Sequence, residues 1–420
     1  MKNIMNFLDK SVTAYHAVEN AAAMLVNNGY SELFENQTWK LEKGGKYFVR
    51  RGGSSIIAFK NRGEGFAIVA SHSDFPAFAV KSVEGGAGIL KLCVEKYGGS
   101  ILYSWLDKPL GIAGRVMVSV KGGAESRLVD LGRAAAVIPS IAIHLRRDVN
   151  DGVKLSPAKD MLPIISTAGG VDLRSAVCKA LSVKEEDILS SDLRLYCGER
   201  AEVTGVGGEF LLAPRIDNLI SVILSLNAFV EAETENTPVF AVFDNEEVGS
   251  STKQGANSTF LSDTLKRISS SEEDYMVRLA KSYMISLDNA HAKHPNAPEL
   301  SDSDNNAPLL SGGVAVKYNA NRAYATDALS DAIFRKICEK AEVKLQKFYN
   351  RADMIGGSTL GSISNTKVSI PTVDIGIPQL AMHSATEFCA ISDIKEMQKA
   401  LSAFYCATVK FNPQGFEVEY

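Results

Sequence analysis

Apolar and polar positions along this 420-residue chain fall into two textures. Up to about residue 80, and again from about 201 to the end, short apolar runs of β character alternate with stretches of helical period. Residues 3–28 are predicted mostly helical, with Thr13 as N-cap ahead of Ala14 to Val26 and Gly29 as the stop. Strands are predicted at 46–50, 55–59, 65–71, 209–213, 238–243, 283–287 and 368–376. Helices are predicted at 219–230, where the pattern reads as amphipathic, at 331–345 and at 394–409. Between 81 and 200 the texture changes. Glycine pairs at 85–86, 98–99 and 122–123 separate short alternating segments at 89–94, 101–105, 113–120 and 127–131. That is the mark of an antiparallel β-rich unit with hairpin turns. A polar loop runs to about Lys159 and a helix is predicted from Asp172 to Leu181. The chain is therefore expected to form an α/β core from residues 1–80 and 201–420, a mixed sheet with helices on both faces. Residues 81–200 are expected to form an inserted β-rich domain, an arrangement tolerated when entry and exit lie close together.

Composition narrows the class without naming a chemistry. With 45% hydrophobic and 22% charged residues, the chain has the make-up of an ordinary globular protein with a large core. A formal charge of −4 gives no electrostatic reason to expect nucleic acid or an anionic membrane as partner. No stretch reaches the roughly 20 apolar residues of a membrane span, and Asp9 interrupts the N-terminus too early for a signal peptide. Six scattered cysteines without a CxxC pair argue for free thiols in a reducing compartment, so a cytoplasmic location is expected.

The candidate chemistry centres on the apolar run Val239 to Phe243, which ends in Asp244-Asn245-Glu246-Glu247 with a turn at Gly249. Two adjacent carboxylates at the mouth of a buried strand repel one another. One needs a cation and the other can keep a raised pKa, the combination of a metal ligand beside a general base. Alone, the pair reads more readily as a solvated acidic loop; its company reverses that. His72, Asp217, Asp288 and His383 also follow the carboxyl ends of predicted strands, where loops of an open α/β sheet converge on a site. Two imidazoles and three or more carboxylates fit two divalent ions about 3.5–4 Å apart that share a bridging carboxylate. Oxygen and imidazole donors without thiolate suit zinc, with cobalt or manganese possible. Asp74, two residues after His72, suits a carboxylate that orients the imidazole from behind. The expected reaction is metal-assisted hydrolysis. Glu246 is taken as the base and Glu247 as a ligand, although spacing leaves that order open. By pattern alone His144 reads as a buried strand-end histidine and Lys317 as a surface lysine.

The motifs taken together resemble the aspartyl aminopeptidase family, co-catalytic zinc exopeptidases that release acidic residues from peptide N-termini. The resemblance runs along nearly the whole chain. It includes Ser11-Val-Thr-Ala-Tyr-His-Ala-Val18, Ser71-His-Ser-Asp74, Trp105-Leu-Asp-Lys-Pro-Leu-Gly-Ile-Ala-Gly-Arg-Val116 and Ile138-Pro-Ser-Ile-Ala-Ile-His-Leu145. Pro214-Arg-Ile-Asp-Asn-Leu219, Phe243-Asp-Asn-Glu-Glu-Val-Gly-Ser250, Asp288-Asn-Ala-His-Ala-Lys-His-Pro-Asn296, Lys317-Tyr-Asn-Ala-Asn-Arg322, Gly357-Ser-Thr359 and Met382-His-Ser384 complete it. It implies two zinc ions per subunit. Asp217 would bridge them, His72 and Asp288 would complete one site, and Glu247 and His383 the other. Glu246 would be the base and Asp74 the support of His72. It further implies that the inserted domain mediates dimerisation, that dimers assemble into a tetrahedral dodecamer, and that His144 reaches the neighbouring subunit's site. Lys317 would pair with the substrate's acidic side chain, and Tyr324 would join it in binding substrate. Two loops depart from the family pattern: Arg322-Ala-Tyr-Ala-Thr326 carries an extra residue, and Ser384-Ala-Thr-Glu387 lacks a basic one. The alternatives are a broad neutral aminopeptidase or an N-acyl amino acid deacylase on the same di-metal core, and a non-catalytic scaffold of the same fold.

Overall fold

A computed structural model describes residues 1–354 and 356–420. Its spine is a nine-stranded mixed sheet in the order Ser31–Leu33, Lys46–Arg51, Ser55–Lys60, Thr237–Phe243, Phe66–His72, Tyr283–Leu287, Thr372–Gly376, Val314–Tyr318 and Leu345–Tyr349. Thr237–Phe243, Phe66–His72, Tyr283–Leu287 and Thr372–Gly376 are mutually parallel. Every residue of these four is buried, which is why they read as near-continuous apolar runs rather than alternating ones. Their side chains nevertheless divide with a period of two. Ala67, Val69, Phe240 and Val242 enter one core, and Phe66, Ile68, Ala70, Val239 and Ala241 enter the other. Helices Lys2–Lys10, Ala14–Asn27, Ile216–Glu231, Ala328–Lys340 and Ile391–Cys406 cover the first face. Phe260–Ile268, Glu272–Ala280 and Leu360–Asn365 cover the second. The expected α/β class with helices on both faces is what the chain forms.

Helix Ile216–Glu231 is not amphipathic. It is buried almost all round, between the sheet and helix Ile391–Cys406. Its serines gave the appearance of a polar face, but their hydroxyls are satisfied internally. Ser225 donates to the Ser221 carbonyl at 2.7 Å, and Ser221 lies 3.5 Å from the Asn289 side chain. Three boundaries also differ from the predictions. The helix expected at 331–345 stops at Lys340, and Leu345–Tyr349 becomes an edge strand parallel to Val314–Tyr318. The strand expected at 368–376 begins only at Thr372, after Pro371, which has no N–H to give to a ladder. The last residues form a hairpin of Thr408–Asn412 and Gly415–Glu419.

Residues 77–197 carry a separate six-stranded antiparallel sheet with its own core around Phe78, Trp105, Ile112, Val116 and Leu195. Its order is Gly123–Asp130, Leu110–Val120, Ile188–Cys197, Ala77–Gly86, Ile89–Tyr97 and Ile164–Thr167. The entering and leaving strands pair directly, Phe78 with Leu195 and Ala79 with Arg194, so entry and exit lie side by side. Ile188–Cys197 was not predicted, because Ser190, Ser191 and Asp192 interrupt its apolar positions. The segment 101–105 is a 3-10 turn, Leu102–Trp105, rather than a strand. Trp105 there packs edge-on against Phe78 at 5.0 Å. A five-stranded sheet, Glu202–Thr204, Phe210–Ala213, Glu387–Ala390, Pro378–Leu380 and Ala290–His291, sits beside the main one.

Candidate metal centre

Three parallel strands deliver four of the expected residues to one edge. His72 ends its strand, Glu246 and Glu247 follow Thr237–Phe243 in a 3-10 turn, and Asp288 follows Tyr283–Leu287. Asp217 and His383 arrive differently. Asp217 stands in the distorted first turn of Ile216–Glu231, just after strand Phe210–Ala213 of the five-stranded sheet, and His383 lies in the loop between Pro378–Leu380 and Glu387–Ala390 of the same sheet. The sites therefore form where two sheets meet, and not along a single sheet edge as the strand pattern implied.

Three overlapping groups of donors come within ligand distance of one another: His72, Asp217 and Asp288; Asp217, Glu247 and His383; and His72, Glu246 and Glu247. His72 Nε2 lies 3.6 Å from Asp217 Oδ1 and 3.5 Å from Asp288 Oδ1. His383 Nε2 lies 3.5 Å from Asp217 Oδ2 and 3.4 Å from Glu247 Oε1. These separations are too long for good hydrogen bonds. They match the edge of a tetrahedron whose centre holds zinc ligands at about 2.0–2.1 Å, an edge of about 3.3–3.4 Å. The two imidazoles face opposite oxygens of Asp217. Asp217 Oδ1 and Glu247 Oε1 are buried with no hydrogen-bond partner in the protein, a costly state for a carboxylate unless a cation meets it. The donor set fits a divalent pair.

Electrostatics agree. Burial pushes the Glu246 carboxyl well above its ordinary range, with Asp288, Glu247 and Asp74 adding repulsion and His72 opposing. Burial likewise raises Glu247 to about 7, against the pull of His383. Burial opposes charge on His72, yet Asp288 and Asp74 outweigh it and hold the imidazole well above its usual value. His383 is carried to about 11 in the same way, burial being overcome by Asp217 and Glu247. All four shifts favour the less negative form of the group, the mark of a buried cluster that calls for positive charge. A bound metal would supply it, with its ligands deprotonated.

Asp74 is bound to more than His72. Its backbone carbonyl lies 3.0 Å from His72 Nδ1 and its Oδ1 3.5 Å. The carboxylate also accepts the backbone N–H of Glu246 and of Glu247, each at 3.1 Å, and the Tyr97 hydroxyl at 2.7 Å. Tyr97 comes from the six-stranded unit and was missed by sequence reasoning; its only signal is an aromatic before Gly98-Gly99. Asn218 donates to the Leu287 carbonyl at 2.8 Å, tying the Asp217 loop to the Asp288 strand.

The Gly98-Gly99 pair is not a hairpin turn. A Cβ on Gly99 would stand 3.1 Å from His383 Nδ1, and one on Gly98, whose φ is +71°, would stand 3.2 Å from Glu247 Cβ. Ile101 N–H then donates to the His383 carbonyl at 3.0 Å. The backbone needs glycine there to lie against the site. Gly99→Ala is expected to push the His383 ring by a few tenths of an ångström. Zinc affinity should drop about tenfold, the lower end of what disturbed ligand supports cost. Chelator competition would measure it, and wild-type affinity would show that the ring has room to spare.

Lys317, read from the pattern as a surface residue, is 3% exposed, and its Nζ lies 3.2 Å from Asp288 Oδ2. Burial works against its charge, but Asp288, Tyr324 and Asp374 more than compensate and raise its pKa. Tyr324 is buried against Phe348, with Lys317 Nζ 5.5 Å from its ring centroid. Beneath them Asp374 accepts the Ala325 N–H at 2.5 Å and the Thr359 hydroxyl at 2.6 Å. His144 corrects the other pattern-based reading. It is exposed, in a non-strand segment with Ile141, Ile143 and Leu145 also exposed, outside the cluster of its own chain.

A family model described as aminopeptidase I zinc metalloprotease (M18) matches residues 7–405. The probable M18 family aminopeptidase 2 of Clostridium novyi (strain NT) is 40% identical, over 96% of this chain and 97% of its own length. A chain in the cryo-EM structure of the Ape4 and Nbr1 complex superposes with a TM-score of 0.92 at 32% identity, covering 96% of this chain and 85% of that one. The S. cerevisiae mApe1 dodecamer matches with a TM-score of 0.84 at 26% identity, covering 96% and 95%.

Proposed function

The chain belongs to the M18 family of zinc aminopeptidases and is a peptide-bond hydrolase, and from that premise we propose that it removes N-terminal aspartate or glutamate from peptides with two zinc ions and Glu246 as general base. The observation that carries the two-ion reading is Asp217, each of whose oxygens faces a different histidine. His72 and Asp288 would complete one site, and Glu247 and His383 the other. Bound zinc supplies polarisation of the scissile carbonyl and lowers the pKa of water toward neutrality.

The remaining work falls to side chains. Glu246 takes the proton of the attacking water and passes it to the departing amine, so that no charge accumulates on either fragment. Its burial suits a carboxyl that must hold a proton near neutral pH. Asp74 fixes the Glu246 amide, and hence the reach of the carboxylate. Lys317 has three donors, of which Asp288 takes one. The others would go to the substrate's acidic side chain, with Tyr324 forming the wall beside it.

Self-association extends the proposal. Residues 81–200 act as the dimerisation domain, dimers assemble further into a dodecamer, the state named for S. cerevisiae mApe1, and His144 enters the neighbouring site. The apolar side chains exposed around His144 support this reading. No helix among the described residues is long and apolar enough to cross a membrane. The six free thiols favour a reducing, cytoplasmic setting.

The test is hydrolysis of Asp-, Glu-, Leu- and Lys-aminoacyl chromogenic amides, with and without chelator and with zinc, cobalt or manganese restored. Chelator-sensitive cleavage led by Asp and Glu is expected. Cleavage led by Leu would remove the acidic preference and keep the metal reaction.

A further inference from the structure

We propose that Glu387 is a positioning residue that sets the separation of Asp217 and His383 by accepting the backbone N–H of each on a different carboxylate oxygen. The inference rests on the two-ion reading above and adds a residue to it. Glu387 Oε2 accepts from Asp217 N at 2.8 Å, and Oε1 accepts from His383 N at 2.7 Å. The residue opens strand Glu387–Ala390 and pairs across the sheet with Ala213, the last residue of the strand that leads to Asp217. The loop carrying His383 runs directly into it. One carboxylate thus stands where both loops leave the five-stranded sheet.

The side chain is 2% exposed, and among the described residues no lysine, arginine or histidine forms an ion pair with it. A buried carboxylate with no side-chain cation is expensive, and it is kept only where its hydrogen bonds are needed. Glutamine would be cheaper to bury but offers one acceptor oxygen. Its amide nitrogen would point a donor at the second backbone donor. The requirement for two acceptors explains glutamate. Neither His72 nor Asp288 is tied to Glu387: the Asp288 N–H goes to the Ile375 carbonyl, and His72 is held by Asp74. The consequence is unequal. Loosening Glu387 frees both Asp217 and His383 on the side that Glu247 completes, but only the shared Asp217 on the side of His72 and Asp288.

The test uses full-length wild type, Glu387→Gln and Glu387→Asp, stripped of metal and reloaded with cobalt(II) or zinc. Affinities come from chelator competition, the cobalt visible spectrum reports coordination, and thermal unfolding of the metal-free proteins reports the scaffold. Wild type is expected to bind two ions per chain. Glu387→Gln is expected to bind one of them about 10- to 100-fold more weakly. The other ion, which shares only Asp217 with the disturbed pair, should weaken by a clearly smaller factor, and the metal-free melting temperature should stay close to wild type. Glu387→Asp keeps the charge but is one methylene too short to reach both amides. It should show the same asymmetry and serves if the glutamine variant does not fold. Two ions held at wild-type affinity would overturn the proposal. So would parallel loss of both with a lowered metal-free melting temperature, or failure of both variants to fold, each of which marks Glu387 as a structural strap. Fewer than two ions on wild type would instead sink the two-ion reading itself, and this inference with it.

Discussion

Glu246→Gln is expected to lower kcat by about a hundred- to ten-thousand-fold while metal content stays at the wild-type level. The substitution keeps the shape of the side chain and removes only its capacity to take a proton, the share of rate that a positioned general base supplies. It also separates the two glutamates, which the sequence could not order. Glu246 belongs to one donor group with His72 and Glu247, so it could in principle serve as a ligand. Glu247 is the one that stands 3.4 Å from His383 Nε2 with an unpartnered buried oxygen. If Glu246 were the ligand, the glutamine variant would lose metal in step with activity. Metal analysis beside kcat on an aspartyl amide decides it, and a variant retaining a fifth or more of wild-type kcat would remove Glu246 from the base role.

Lys317→Ala is expected to cut kcat/KM for acidic substrates by a further 10- to 100-fold relative to neutral ones. Removing the ammonium leaves a substrate carboxylate desolvated and unpaired. That penalty applies only to substrates that carry one, and charged hydrogen bonds are worth about 1.5–3 kcal/mol. A second, uniform loss is expected beneath it. Lys317 is also the cationic partner of Asp288, which burial would otherwise push up but which Lys317 and His72 hold well below the usual carboxylate range. Without that partner Asp288 loses the hydrogen bond that orients it beside His72, a loss felt whatever the substrate. The ratio of acidic to neutral kcat/KM isolates the pocket term. Equal losses across Asp, Glu, Leu and Lys amides would leave Lys317 as a support of Asp288 alone.

Parts of the fold were legible for a definite reason. Phe66–His72, Thr237–Phe243 and Tyr283–Leu287 are buried on both faces, so each shows as an unbroken apolar run with chemistry at its end. Thr13 caps its helix as its hydroxyl position implied, accepting the His16 N–H at 3.4 Å. Ile188–Cys197 was hidden because several of its positions lie exposed, and the helix after Asp217 looked amphipathic because buried serines imitate a polar face. Tyr97 and Glu387 were invisible for another reason. They act through hydrogen bonds to a carboxylate or to backbone amides, and no residue spacing announces such bonds.

The sequence by itself determined the kind of chemistry. Two histidines and a set of carboxylates at strand ends, with no thiolate among them, specify an oxygen- and imidazole-ligated metal centre in an α/β core. Only the tertiary structure decided the assembly. It showed that Asp217 and His383 come from a second sheet, that the histidines face opposite oxygens of one aspartate, and that Gly98-Gly99 passes against the site. It also moved Lys317 from the surface to the interior and His144 from the interior to the surface. The physical reason is that residue type fixes what a group can bind. Separations of 3.4–3.6 Å between His72 or Glu247 at the end of one sheet and Asp217 or His383 beside another are fixed only when the two sheets pack together.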